Sequence, residues 1–579
     1  MKTNLLKFIK AIFVYIIPII GIVNLFGLVN YKYNSIICVL LFIALLLLYK
    51  NVYFYQISKK KKIYILLLSI LYSLFIVLGT NIDQNYENII YSFISNKYQV
   101  ILEIYSIFIF LIPILFKIIM FIEKIACTNN PIKKRKINFL IVFLVILLFW
   151  IPYLINYYPG LMSPDSLSQW GQASGVVKLS NHHPIAHTMF IKLFVMIGDL
   201  LGNPNYGVAL YSFAQMIILD LVFSYLISYM IDKKVNKYII LLFVCFYSLM
   251  PVFGIYSVTM WKDILFGAAA TLLMLQIYKF TVECEFRLLD KILLFISIIW
   301  TCLFRTNGLY AVIALDICFL FFVKNKFKDF LLFMVIPTII SIIIIGPVYN
   351  FCGIRKTEFT ESVGIPTKQI YGVLYENLPV DYQNIKFLNG LVDLDEALEI
   401  YSPFGDHIKG LKSYSNEYLE MHKMEFFKVW ISIGLEYPTK YIDIYLKSTY
   451  GYWYPEAQGY IAHKWIIADN NFELRSSNEF DRLKLNGYFE WFYNMPVLKY
   501  LTSDGFCFWV LLLILAITII NKSYIRVYSL LLPIFIWGTL MIATPLAYQP
   551  RYSFALYCSL PLICLTGMEA IKERKKNEK

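Results

Sequence analysis

Charge is what this sequence has least of. Only 16% of its 579 residues are Asp, Glu, Lys or Arg, against 59% hydrophobic, and the mean hydropathy is +0.63. A soluble chain of this length needs several charged domain surfaces, so that class is excluded. The ten cysteines show no CxxC and no metal-ligand spacing, which removes zinc ribbons and dithiol redox motifs. Only Cys352 and Cys507 flank the long polar loop, and a disulfide there requires that loop to face an oxidising compartment. A Walker loop, GxSxG, HExxH, an EF-hand and a Rossmann fingerprint are all missing. No fixed-period repeat appears, and none of the inverted hydropathy symmetry of many transporters. The first hydrophobic run, about 11–29, is long and lacks a small-residue cleavage site, which argues against a cleavable signal peptide.

What is present is a series of apolar runs of membrane-spanning length, the mark of an all-α polytopic membrane protein. Hydropathy and Lys/Arg bias together predict about 14 transmembrane helices with both termini cytoplasmic. The first five are 8–29, 35–55, 63–80, 99–121 and 138–156. Six more follow at 207–231, 238–256, 264–281, 292–304, 309–323 and 330–349, and three close the chain at 506–521, 527–544 and 554–570. The pair within 292–323 is short and reads either as two spans or as a re-entrant pair.

The net charge of +14 raises the question of nucleic acid, but its distribution answers no. Residues 350–505 carry 15 Lys/Arg against 21 Asp/Glu, while the rest of the chain carries 37 against 17. That excess sits in short clusters between apolar runs: KKKK at 59–62, KKRK at 133–136, DKKVNK at 232–237, KNKFK at 324–328 and KERKKNEK at the end. Such clusters orient helices by the positive-inside rule and need bind nothing. Four regions result: accessory helices over 1–137, a transmembrane core over 138–349, a mainly helical extracytoplasmic domain over 350–505, and C-terminal helices with a basic cytoplasmic tail over 506–579. The Ile-, Lys- and Asn-rich usage looks bacterial, which places the chain in a plasma membrane.

The outer face then holds the polar groups of interest. In YYPGLMSPDSLSQWGQA (157–173), Pro159-Gly160 breaks a span, Ser163 suits an N-cap, Pro164 suits N1, and Asp165 meets the positive end of a helix dipole. As it stands Asp165 is either a first-turn acid or a reactive one. SNHHPIAH follows, with His182, His183 and Pro184; three histidines within six residues suggest zinc, but no fourth ligand is in view. Trp261-Lys262-Asp263 opens another span, and its charges are either a solvated pair or a second acidic site. Arg305 and Asn307 in FRTNGLY, and Gln549 and Arg551 in QPRYSFALY, put guanidinium groups on the outer side against the usual bias. Each arginine either pairs with a loop acid or capped carbonyl, or grips a phosphate with two parallel hydrogen bonds. In YGYWYPEAQGY (450–460), Tyr452 and Trp453 suit either interfacial packing or a sugar-lined cleft.

These motifs in this order resemble the first exoplasmic loop of the GT-C glycosyltransferases, including the protein mannosyltransferase and aminoarabinose transferase branches, and the layout looks closest to an uncharacterised bacterial branch. There a span ends in an acid, and an interfacial helix, a His-Pro or Lys-Pro-Pro element, a second interfacial helix and the next span follow. Asp165 takes the acidic position and HHP the basic-proline position. This chain has Asp-Ser where many members have an acidic pair, so no metal held by a pair is implied, and a divalent metal stays an open question. The resemblance implies a GT-C-like fold and a glycosyltransferase that moves a hexose or pentose from a polyprenyl-phosphate donor to the hydroxyl of an unknown cell-envelope acceptor. Attack by that hydroxyl would invert the anomeric centre. Asp165 is the expected general base and Asp263 a positioning acid. Arg551 and Arg305 are the expected phosphate clamp, with His182, His183, Lys262, Asn307, Tyr452, Trp453 and Gln549 as further substrate contacts. Membrane lipids are the other partner. The alternatives are a lipid-linked polysaccharide polymerase or ligase, which also uses polyprenyl carriers, and a transporter or flippase, which would place its charges near the midplane on broken helices.

Overall fold

The computed structural model describes residues 9, 11–26, 34–50, 52, 57–84, 88–128, 130–133, 135, 137–321, 326–457, 465–477, 480–543, 546 and 549–578. Among them the chain is helical throughout, with no strand and three isolated β-bridges. Each of the 14 expected positions holds a helix. Eight of these helices are long and apolar enough to cross a membrane alone, and Lys237–Leu249 with Pro251–Ser257, bent by 50°, makes up to nine. Ile12–Leu25, Ile37–Tyr49, Thr306–Leu320 and Asp504–Ile520 are shorter apolar helices. The chain is thus a helical protein with the hallmarks of a multi-pass membrane protein.

The centre of the assembly is Lys262–Val282, whose residues are buried on all sides. Its FGAAA stretch explains why: a Cβ on Gly267 would sit 2.7 Å from Phe554, so only a small residue lets the Phe554–Asn577 helix approach this closely. Aromatic contacts fix the neighbours. Phe223 stacks on Tyr247 at 4.0 Å, and Trp150 donates from Nε1 to the Tyr247 carbonyl at 2.9 Å. Tyr72 of the Lys59–Asp83 helix stacks on Trp509 at 4.0 Å and ties the N-terminal helices to the C-terminal ones.

Cationic clusters meet at one end. Lys60 donates to the Ile519 carbonyl, Arg526 pairs with Glu573, Lys279 with Asp290, Lys291 with Asp329 and Lys233 with Glu283. Lys326 donates to the Phe280 and Glu283 carbonyls, and Pro131 bridges to Asn236. Leu288–Phe304 leaves this end, the chain breaks at Arg305 beside Asp263, and Thr306–Leu320 returns, so the hairpin runs the length of Lys262–Val282.

Residues 350–505 divide between hydrophobic clusters. Val363, Ile370, Leu388, Leu419, Phe426 and Ile433 make a core of their own. Trp453, Tyr454, Phe489 and Phe492 join the main transmembrane cluster, and Ile467 and Leu474 pack on the first loop instead. Cys352 is exposed, Cys507 is buried, and both thiols are free.

Candidate active site

The geometry of the site begins at Gly160. Its φ of +152° is open to glycine, and an added Cβ would lie 2.3 Å from Ser212 Oγ. This close approach lets the next residue pair with the second outer turn: Leu161 N–H donates to the Val258 carbonyl and Met260 N–H to the Leu161 carbonyl, each at 2.9 Å. The Pro-Gly pair therefore does more than end a span. It stitches the Asp165 loop to the WKD turn. Gln215 holds the far side of that turn, its amide donating to the carbonyls of Tyr256, Ser257 and Thr259 at 3.0, 3.1 and 2.8 Å.

Ser163 is the N-cap of Pro164–Ala173 and Ser166 completes its capping box, with Pro164 in the first turn as expected. Ser166 also donates to the Met260 carbonyl at 2.7 Å, and Trp261 donates from Nε1 to Ser163 Oγ at 2.7 Å. The cap thus faces the second turn, and Asp165 faces outward from it. Arg551 Nη1 donates to Asp165 Oδ2 at 2.9 Å. The guanidinium lies 4.8 and 4.7 Å from the ring centroids of Trp261 and Tyr552, and Nη2 donates to the Tyr552 hydroxyl at 2.7 Å. Its Nε is buried with no partner.

A second ion pair stands behind the first. Arg305 Nη1 lies 3.1 Å from Asp263 Oδ1 with both side chains under 10% exposed, and it also donates to the Tyr552 carbonyl at 2.8 Å. Tyr552 touches both arginines, since Arg305 lies 5.1 Å from the same ring. Ser163, Pro164, Asp165, Trp261, Trp465, Gln549 and Arg551 line a cavity of about 200 Å³. Asp263, Arg305 and Lys262 support its wall from behind.

Charge sets the protonation states. Burial pushes the Asp165 carboxyl up, but Arg551 and Lys262 outweigh it and hold the group below the ordinary carboxylate value. Burial, helped by Lys262, takes His183 down to about 3, so its imidazole is neutral and Nδ1 faces Lys262 Nζ at 3.4 Å. His187 is neutral for the same reason, at about 3, with one ring nitrogen on Gln169 at 3.0 Å and the other on Tyr211 at 2.7 Å. Both nitrogens are engaged, so His187 is a core residue. Among the described residues no group of three or more His, Cys, Asp and Glu is arranged to hold a metal ion.

His182 is exposed and packs edge-on to His183 at 4.5 Å. It lies in the field of Asp165 and Lys262 on one side and of Glu361 and Lys409 on the other, so the outer segment reaches the site. A backbone bridge between Ser180 and Arg355 secures that approach. Tyr452 is wholly buried behind Tyr552, and Trp453 packs on Phe75 at 5.5 Å, so neither lines the cavity. Asn307 lies on the first turn after Arg305, its Nδ2 buried without a partner.

Sequence reasoning missed three contributors. Trp465 carries no local signal, and its buried Nε1 at the cavity wall has no partner. Tyr552 sat inside the QPRY motif but was not singled out. Asp504 is an acid at the head of a span, the pattern that drew attention to Asp165 and Asp263. It accepts from Ser553 Oγ at 2.5 Å and from the Tyr557 hydroxyl at 2.6 Å, and so anchors the segment that carries Arg551.

The chain belongs to DUF6020, a family of unknown function whose model matches residues 173–579. The match takes in Lys262, Asp263, Arg305 and Arg551 and begins at the end of the Asp165 helix. No curated protein and no solved structure matches the chain.

Proposed function

We propose that this protein is a GT-C-type membrane glycosyltransferase that moves a sugar from a polyprenyl-phosphate donor to an acceptor hydroxyl at the outer face of the plasma membrane. The observation that carries the reading is the contact of Asp165 with Arg551, 386 residues apart, on the wall of one cavity at the end of the helix assembly opposite the cationic clusters. A lipid donor keeps its tail in the bilayer, so its sugar and phosphate sit at such an end. Transfer needs a base for the acceptor proton, a cation for the departing phosphate, and alignment of the two.

Asp165 supplies the base, ionised at neutral pH and lining the cavity. As the acceptor oxygen attacks the anomeric carbon, its proton passes to Asp165 and the carbon–oxygen bond to phosphate breaks, inverting the centre. Arg551 receives the released phosphate charge. Arg305 is committed to Asp263 and to the Tyr552 backbone, so its role is to hold Tyr552 against Arg551. Fourteen spans, cytoplasmic termini and a site facing outward complete the reading, with the cationic end in the cytoplasm.

The test compares transfer from polyprenyl-phosphate and polyprenyl-diphosphate sugars by wild type and Asp165→Asn. Asn keeps the shape and removes the base. We expect the monophosphate donor to be used and the variant to lose about 100-fold or more. Near-normal transfer by the variant removes Asp165 from the chemistry, and exclusive use of the diphosphate moves the protein to the polymerase or ligase class.

A further inference from the structure

Arg551 has one exposed way in. The rings of Trp261 and Tyr552 lie against its guanidinium, the Tyr552 hydroxyl accepts from Nη2, and Nε is sealed from solvent. Nη1 is the donor that meets the cavity wall, and Asp165 holds it there. The two side chains are unequally fixed. Arg551 lies against two rings with 14% of its side chain exposed, whereas Asp165 keeps 41% exposed at a helix start and has no other side-chain hydrogen bond among the described residues. When an anionic ligand arrives, the carboxylate is the group that gives way.

We propose that Asp165 and a phosphate anion exchange on Arg551: in the empty site the carboxylate occupies the guanidinium edge, and a bound phosphate takes that edge and releases the carboxylate into the cavity. The inference rests on the reading of the site given above and adds an order of events to it. The base is masked until the donor's phosphate is seated, because the cation that hydrogen-bonds to it is also the phosphate's. A freed carboxylate loses Arg551, the foremost of the groups that hold its proton affinity down, so its basicity rises as the donor binds. A charge between two users of one cation also keeps water from being activated in an empty site.

The exchange makes a prediction opposite to that for an ordinary binding residue: removing the acid tightens phosphate binding. Equilibrium binding of a short-chain polyprenyl phosphate is measured by calorimetry on the full-length protein in detergent, with inorganic phosphate in a parallel arm. The proteins are wild type, Asp165→Asn, Arg551→Ala and the double variant. Asp165→Asn should bind about 5- to 10-fold more tightly than wild type, the scale of one partly exposed ion pair. In the Arg551→Ala background the same change should have little effect, since there is no shared cation to liberate. An equal gain in both backgrounds reduces the effect to general charge repulsion and overturns the exchange. A weaker Asp165→Asn makes the acid part of the phosphate site and overturns it too.

Coupling in either arm supports the exchange, and the arm that carries it tells a lipid headgroup from free phosphate. Sugar transfer is followed separately. Coupling without any transfer retires the glycosyltransferase reading and leaves the exchange standing, while transfer without coupling does the reverse. Arg551→Lys, which keeps the charge but not the fork, guards against a folding defect in the alanine variant: it should fold as wild type and show the Asp165 effect in reduced form.

Discussion

The two ends of the helix assembly are built from the same kinds of charge and do different things with them. At the cationic end, Lys233–Glu283 and Lys279–Asp290 meet at Tyr229, and Lys291–Asp329 and Arg526–Glu573 each join two neighbouring helices. At the other end Arg551–Asp165 and Arg305–Asp263 also share a tyrosine, but there the first pair lines a cavity. A pair that links two helices orients or fastens them, and its net worth is small where water reaches it. A pair whose members come from distant segments and open onto a void has a partner to exchange. Convergence around empty space, not charge itself, separates the two ends.

The sharpest way to break the comparison is to remove one cation from each end. Arg551→Ala should cost about 100- to 1,000-fold in transfer rate, the scale of losing one preorganised charge stabiliser. Lys291→Met, at the other end, should change the rate less than about twofold. Similar losses at both ends, in a transfer assay on reconstituted protein, would erase the distinction.

The next test strikes the stitch that brings the loops together. Gly160→Ala puts a methyl group 2.3 Å from Ser212 Oγ at a φ of +152°. We expect roughly 1–3 kcal/mol of destabilisation, read as a lowered melting temperature, with transfer reduced because Asp165 no longer registers with Trp261. A melting temperature equal to wild type would mean that the pairing of Leu161 with Val258 and Met260 does not depend on this glycine.

The smallest effect concerns the neutral histidines behind the site. His187 titrates near 3 in the folded protein and near 6.5 when unfolded. Between those values the unfolded chain binds the extra proton, so stability rises with pH there and falls on acidification from about 6.5 toward 3. His187→Gln, which keeps hydrogen bonding to Tyr211 and Gln169, should flatten this slope by one proton's share. Thermal unfolding at pH 7 and pH 5 checks it, and an unchanged difference between the two would show that His187 contributes nothing to it.

The positions of the helices were legible in the sequence because the bilayer leaves a mark residue by residue: apolar runs for the interior, Lys and Arg for the ends. The candidate acids and arginines were legible for the same reason, since Asp165, Asp263, Arg305 and Arg551 all interrupt that pattern at one kind of boundary. Asp504 follows the same rule and was overlooked. Trp465 was not legible at all, because an aromatic near a membrane surface is ordinary and only its place at the cavity wall distinguishes it. The reverse error affected Tyr452 and Trp453, whose aromatic setting suggested a cleft and whose places are in the packed interior.

The sequence by itself determined the helical class, the 14 helix positions and the sorting of cations to loop ends, because hydropathy and charge act locally on each segment. Tertiary structure alone decided which acid meets which arginine. Asp165 found Arg551 rather than Arg305 because Gly160 allows two backbones to pair and Ser553 is held by Asp504, and no local pattern encodes contacts between segments hundreds of residues apart.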